Sequence, residues 1–222
     1  KLYLKRLEPI LAIEAARPGK PDELLTEVAR QLALAMAYED TIRVAELKIR
    51  ASRFQRVAEE VVVKPGQLLE IVELMHPRTQ EIAETLPAGL GRFILNTGWV
   101  RSIVDAFTRK GRKVKTSSIR GFLLLYMVAS LKPMRPRSLR WIDEQKRVTQ
   151  WLDRIVEIAP QDYPLAVELA HALGLVKGYG DTHERGREKY EAILTLLPKL
   201  VARGEAAKQV ATLRKAAAAD ET

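Results

Sequence analysis

Residues 21–36, PDELLTEVARQLALAM, decide the fold class. Leu25, Val28, Ala29, Leu32 and Met36 recur at spacings of three and four, the period of one helix face rather than of a strand. Pro21 suits a first helical turn, where its missing N–H costs nothing, and Asp22 and Glu23 put negative charge at the positive end of the helix dipole. Working outward, the same period recurs on both sides. Leu4, Leu7, Ile10, Leu11 and Ile13 mark an earlier helix closed by Pro18-Gly19. After residue 36 the pattern shifts face near residues 38–41 and runs to about Val61, so long that a kink or break is expected. A breaker at 62–66, a helix from Gln67 to about Leu74, a stop at His76-Pro77 and a helix to Thr85 follow. Short helices are expected at 92–95 and 99–108, then an apolar helix ending at Leu131 and capped by Thr116 or Ser117.

Farther along, Trp141, Val148, Trp151, Leu152 and Ile155 share one face of a long helix, and residues 164–173 form another. Tyr190, Ile193, Leu194, Leu197 and Val201 make a further stripe that Pro198 is expected to kink or break, and the alanine-rich end is helical by propensity. No alternating strand pattern persists. The chain therefore reads as an all-α, multi-helix bundle over 1–222, divisible into sub-bundles 1–108 and 116–222 with a basic connection at 109–115.

Composition removes several kinds of chemistry. With 222 residues, 47% of them apolar, one large or two small domains can be built. The sequence has no cysteine, so disulfides and cysteine-ligated iron–sulfur clusters are excluded within it. The longest apolar run, FLLLYMVASL at 122–131, is shorter than the roughly 20 residues that cross a bilayer, so no membrane association is expected. Residues 1–16 are charged and amphipathic, unlike a secretory signal, and cytoplasmic residence is the expectation. The chain opens on Lys1, and we expect a domain cut from a longer protein. His76, His171 and His183 show no metal-ligand spacing, and no metal site is expected; His171 lies three residues from Glu168 on a helix face. Glu39 and Asp40 can both pair with Arg43, or form an acidic pair able to handle protons.

The net charge of +9 is unevenly spread. Residues 92–147 hold 14 Lys/Arg against 3 Asp/Glu, a net of +11, so the remainder is slightly acidic. The densest cations are Arg109, Lys110, Arg112, Lys113 and Lys115, followed by Arg135, Arg137 and Arg140. Such a patch attracts anionic partners: an acidic protein face, a phosphate-bearing cofactor or nucleic acid. Nucleic acid fits least, because no aromatic residue interleaves RKGRKVK and no recognition module is present. A solvated charged face is the plain alternative.

The string LVKGYGDTHERGREKY, 175–190, stands out from its helical flanks. Gly178 and Gly180 predict a sharp turn, and Asp181 or Thr182 can cap the next helix with Glu184 completing a capping-box spacing. That leaves Lys177, Tyr179, His183 and Arg185 without a structural role. Lys177, Gly178, Tyr179, Gly180, Asp181, Thr182, His183 and Arg185 are therefore the candidate anion-binding residues, with His183 the candidate for catalysis. The glycines lack the third member and preceding strand of a dinucleotide fingerprint, and no G-x-S-x-G elbow occurs.

Three strings, RLEPILAIEAARPGKPDELLTEVAR (6–30), MHPRTQEIAETLPAGLGR (75–92) and LVKGYGDTHERG (175–186), carry a resemblance. In this order they resemble the helical C-terminal domain of indolepyruvate oxidoreductase beta-subunit proteins and their fused relatives. The resemblance implies membership in a 2-oxoacid:ferredoxin oxidoreductase assembly that acts on indolepyruvate or other arylpyruvates. It further implies thiamine diphosphate, iron–sulfur clusters and coenzyme A elsewhere in that assembly, with none of these cofactors inside this domain. The expected role is accessory: docking or orienting the rest of the parent chain, the partner subunit or ferredoxin. An anion-binding domain using residues 177–185, or a basic nucleic-acid-binding module, are the alternatives.

Overall fold

The computed structural model describes residues 1–17, 19, 21–37, 40–64, 66–75, 78–108, 111–178 and 180–220. The fold is all-α with one two-stranded ribbon. The chain forms two compact units, one from residues 1–38 with 145–222 and one from 39–144. The segment 109–115, expected to connect two sub-bundles, instead lies within the second unit, because residues 112–115 pair with a strand forty residues earlier.

The first unit holds α1 (Leu2–Ala15), α2 (Glu23–Met36), the later part of α9 (Leu139–Ile158), α10 (Tyr163–Ala172), α11 (Gly180–Arg203) and α12 (Ala206–Ala219). Its core is continuous and centres on α10, which buries Leu165, Ala166, Val167, Leu169, Ala170 and Ala172, a set running most of the way round the helix. A helix so apolar must be covered on several sides, and α2 and α12 both pack against it. The buried Trp151 donates its indole N–H to the Leu169 carbonyl at 3.0 Å, so the largest core side chain leaves no polar atom unmet. α11 runs on as one helix through Pro198, which lies on its exposed side, where the carbonyl freed one turn earlier can meet water.

The start of α2 shows how the polar residues of residues 6–30 are used. Pro21 precedes the helix rather than opening it, and Asp22 makes no side-chain cap. Instead the Leu24 N–H donates to the Tyr163 hydroxyl (3.0 Å) and the Leu25 N–H to the Glu14 carboxylate (3.2 Å). The Tyr163 hydroxyl also donates to Glu14 (2.8 Å), and the Arg17 guanidinium lies over the Tyr163 ring, 3.2 Å from its centre. Two orphan N–H groups of a helix N-terminus are thus satisfied from α1 and α10 rather than from the local cap.

The second unit contains α3 (Thr41–Lys48), α4 (Ala51–Glu60), β1 (Val72–Met75), α5 (Thr79–Thr85), α6 (Ala88–Asn96), α7 (Gly98–Thr108), β2 (Arg112–Lys115), α8 (Ile119–Ser130) and the start of α9. The long pattern after residue 36 therefore breaks into separate helices, α3 starting where the Asp40 carboxylate accepts the Arg43 N–H at 2.7 Å. Residues 67–70 are not helical, and 72–75 are the strand β1, antiparallel to β2 with Val72 opposite Lys115 and Met75 opposite Arg112. The helix expected from Gln67 to Leu74 is absent because its backbone bonds are made across the ribbon. Ser118 caps α8, accepting from the Gly121 N–H at 3.2 Å; Thr116 is instead buried with its N–H on the Ile71 carbonyl (2.8 Å), and the Ser117 hydroxyl accepts the Ile71 N–H at 3.1 Å. No helix among the described residues is long and apolar enough to cross a membrane.

Candidate functional site

The glycine string folds as a strap over the first unit. A 3-10 turn at Leu173–Leu175 presses Gly174 against the Gln31 side chain, and Gly178 and Gly180 take positive φ of 72° and 62°. α11 already begins at Gly180, so Asp181 and Thr182 lie within its first turn rather than before it, and Glu184 pairs with Arg187 instead of closing a capping box. Hydrogen bonding from Arg187 holds the Glu184 carboxyl below its usual range, and the same bond raises Arg187. Gly186 then sits against the Leu175 carbonyl, where any side chain would overlap backbone. Tyr190, one turn on, is buried, which pushes its hydroxyl up to about 12.

Of the candidate anion ligands, Lys177, Asp181 and His183 are already engaged with neighbouring groups. Lys177, Asp181, Thr182 and Arg185 are exposed and His183 is half-buried; Tyr179 lies outside the described residues. Close packing at Gly174 and Gly186 and the positive φ of Gly178 and Gly180 account for the glycines of the string.

The basic segment is divided in the same way. Arg135 is spent internally: its Nε and Nη2 both donate to the Asp40 carboxylate at 2.9 Å, with both side chains nearly buried. Arg140 donates to Glu144 at 2.7 Å, and Lys115 pairs with Glu70. Lys132, Arg43 and Arg50 gather on Glu46, and the bonds from Arg43 and Lys132 hold its carboxyl at about 2. Of the expected docking cations among the described residues, Lys113 and Arg137 are exposed and make no ion pair. Arg109, Lys110, Glu39 and the side chain of Arg112 lie outside the described residues; Asp40 caps α3 and pairs with Arg135.

A buried polar cluster joins α2 to α10. The Glu27 carboxylate accepts from Arg30 (2.6 Å) and Gln31 (2.7 Å), and His171 Nδ1 lies 2.9 Å away. Sequence reading placed His171 with Glu168; instead Glu168 pairs with Arg214 of α12. The signal for Glu27 and Gln31 was their i, i+4 spacing on the face of Leu24, Val28 and Leu32, about one position round from the stripe read through Leu25 and Ala29. Burial opposes ionisation of Glu27, but the hydrogen bonds from Arg30 and Gln31 and the nearby His171 outweigh it and keep its carboxyl below the ordinary range. A carboxyl lowered in the fold contributes stability that is complete above its unfolded pKa and is lost as pH falls through the folded one. Melts from pH 7 to pH 3 are expected to show an acid-side loss of Tm that Glu27→Gln flattens, together with a lower Tm at neutral pH. An unflattened acid limb in that variant would assign the loss to other carboxylates.

The exposed apolar residues of α7 and α8 gave no sequence signal beyond ordinary helix stripes. Trp99, Ile103 and Phe107 stand at i, i+4 and i+8 along α7, and both aromatics are about two-thirds exposed, at 67% and 69%. α7 buries no residue at all. α8 buries only Gly121 and Leu125 and leaves Ile119, Leu123, Leu124, Tyr126 and Met127 exposed.

Compared with known proteins, residues 1–196 match the model of a family described as a family of unknown function (DUF6537). No curated protein and no solved structure matches the chain.

Proposed function

We propose, for a chain that belongs to the DUF6537 family, the role of an accessory helical domain in a cytoplasmic 2-oxoacid:ferredoxin oxidoreductase subunit acting on indolepyruvate or a related arylpyruvate. In this reading it docks or orients parts of the enzyme or the electron carrier and performs no chemistry of its own. Thiamine diphosphate, iron–sulfur clusters and coenzyme A then act elsewhere in the assembly. The assignment to this enzyme class rests on the three resembling strings, and the docking role on uncovered surface.

That surface is the observation that carries the role. The chain exposes 14042 Å² for a mass of 25.0 kDa. A folded monomer of this mass exposes roughly 10,000 Å², and two separate domains of half the mass about 12,300 Å². The remaining excess is more than the roughly 800 Å² that one partner contributes to a standard protein–protein interface. Its composition fits the comparison, since Trp, Phe, Tyr and Met are enriched where partners meet. By contrast the polar residues of the resembling strings (Glu14, Arg17, Glu27 and Arg30) are taken up in caps and ion pairs of the fold.

The test uses the intact parent enzyme with its partner subunits. Trp99→Ser/Phe107→Ser removes apolar surface without touching a buried residue, so helicity and Tm should hold. Arylpyruvate-dependent ferredoxin reduction, or co-purification of the subunits, is expected to fall at least tenfold. Wild-type values on both counts would withdraw the docking role. A parent enzyme that reduces no acceptor with any arylpyruvate would withdraw the oxidoreductase assignment.

A further inference from the structure

We infer that the outer face of α8 is the docking site for an acidic amphipathic helix of a protein partner. The inference rests on the docking reading and adds to it a place and a partner chemistry; it does not depend on which reaction the assembly performs.

Two observations converge on this face. The first is geometric. Ile119, Leu123, Tyr126 and Met127 fall at i, i+4, i+7 and i+8, so they line one side of the helix, with Leu124 beside them. Ile119 is 79% and Met127 61% exposed, whereas the opposite side is fixed by Gly121 against the Lys115 carbonyl and by Leu125 in the core. A helix this apolar on its outer side is one whose second face is meant to be covered. The exposed ridge extends about 12 Å, two helical turns, the length over which the ridges of one helix fit the grooves of another.

The second observation is charge. Between Asp105 and Asp143 the sequence contains no acidic residue. Among the described residues, Lys113 on β2, Arg120 on α8 and Arg137 in the turn after α8 are exposed and carry no ion pair. β2 and that turn both pack against α8, so these cations stand at its two ends and along it. The carboxylates that neighbouring elements bring to the ends of α8, Glu70 and Glu46, are paired with Lys115 and Lys132, so the unpaired charge beside the apolar ridge is cationic and complementary to an apolar ridge edged by carboxylates.

The same charges argue against a second copy of the chain. A twofold interface between two α8 faces would set the unpaired cations of one copy against those of the other. An anionic membrane surface is the alternative that the vesicle measurement below tests.

Fluorescence anisotropy on the full chain decides the matter. The probes are a labelled 18-residue peptide with a leucine stripe flanked by glutamates and its counterpart with lysines in place of the glutamates. The acidic peptide is expected to bind at least tenfold more tightly, and to weaken further as salt is raised. Leu123→Glu/Met127→Glu should abolish that binding with the circular dichroism spectrum unchanged. Arg120→Glu, which leaves the apolar ridge intact, should narrow the preference between the peptides at least threefold. Equal binding of the two peptides, or acidic-peptide binding undiminished in both variants, overturns the inference. So does co-sedimentation of the chain with vesicles containing one-third phosphatidylserine, or a dimer that Leu123→Glu/Met127→Glu dissolves. None of these outcomes bears on arylpyruvate turnover by the parent enzyme, so failure here and failure of the enzyme assignment are separable.

Discussion

Gly186→Ala is expected to destabilise the first unit by about 1–3 kcal/mol, the range of an overpacked core position. The direction runs against helix propensity. At an open helical site the same substitution stabilises by up to ~1 kcal/mol, because alanine loses less backbone entropy than glycine. At Gly186 a Cβ would overlap the Leu175 carbonyl oxygen and stand 3.0 Å from its carbon. Both are backbone atoms, held by a 3-10 turn whose own residues Leu173 and Leu175 are buried. No side chain can swing aside to make room, so α11 or the turn must shift and the core contacts of Tyr190 and Ile193 shift with it. Urea denaturation followed by the fluorescence of the buried Trp151 measures the change. Gly89→Ala in α6 is the matched control, because a Cβ there meets nothing within 4 Å. If Gly186→Ala were as well tolerated as Gly89→Ala, the close crossing would not exist in solution.

Asp40→Ala is expected to cost the second unit about 3–5 kcal/mol, the penalty for leaving one half of a buried ion pair without its partner. Asp40 has two functions that fail together. Its carboxylate accepts both Arg135 bonds at 2.9 Å and also caps α3 through the Arg43 N–H at 2.7 Å. Loss of such a cap alone costs ~1 kcal/mol. The uncompensated guanidinium is the larger effect, since Arg135 is only 13% exposed and Asp40 8%. The comparison of variants separates the two. Asp40→Asn keeps a capping oxygen and loses the charge, so it should fall between wild type and Asp40→Ala. Asp40→Leu/Arg135→Leu removes both charges and should recover most of the loss. A ΔΔG below about 1 kcal/mol for Asp40→Ala would mean that Arg135 finds water instead, and that the pair does not hold the second unit together.

The places where sequence reading and structure part company share a cause. β1 is the sequence VELM, with Val72 and Leu74 facing outward and Glu73 turned in to Lys48 and Arg53. Its polarity is the reverse of an ordinary half-buried strand, so no inspection of residues 72–75 could find it. The face of α2 was read one position out because Glu27 and Gln31 are polar residues on a core face, made tolerable by Arg30 and by His171, 144 positions away. The charge of the basic segment is legible in the sequence, but its internal pairing is not. Arg135 belongs to Asp40, 95 residues earlier, and Lys132 to Glu46, 86 residues earlier.

The helical class was legible because helix periodicity is a local property: each turn reports its buried side within four residues, whatever lies across from it. The break after Met36 and the turn at the paired glycines were legible for the same reason. Which polar residues are consumed inside the fold and which remain for a partner was not. Tyr163 and Glu14, 149 positions apart, cap α2, and Glu168 meets Arg214 across 46 positions. Those pairings depend on how the helices stack, and stacking is set by the whole core rather than by any one segment. The apolar outer face of α8 emerges in the same way, since in sequence its two sides are equally greasy and only packing against α3 distinguishes them.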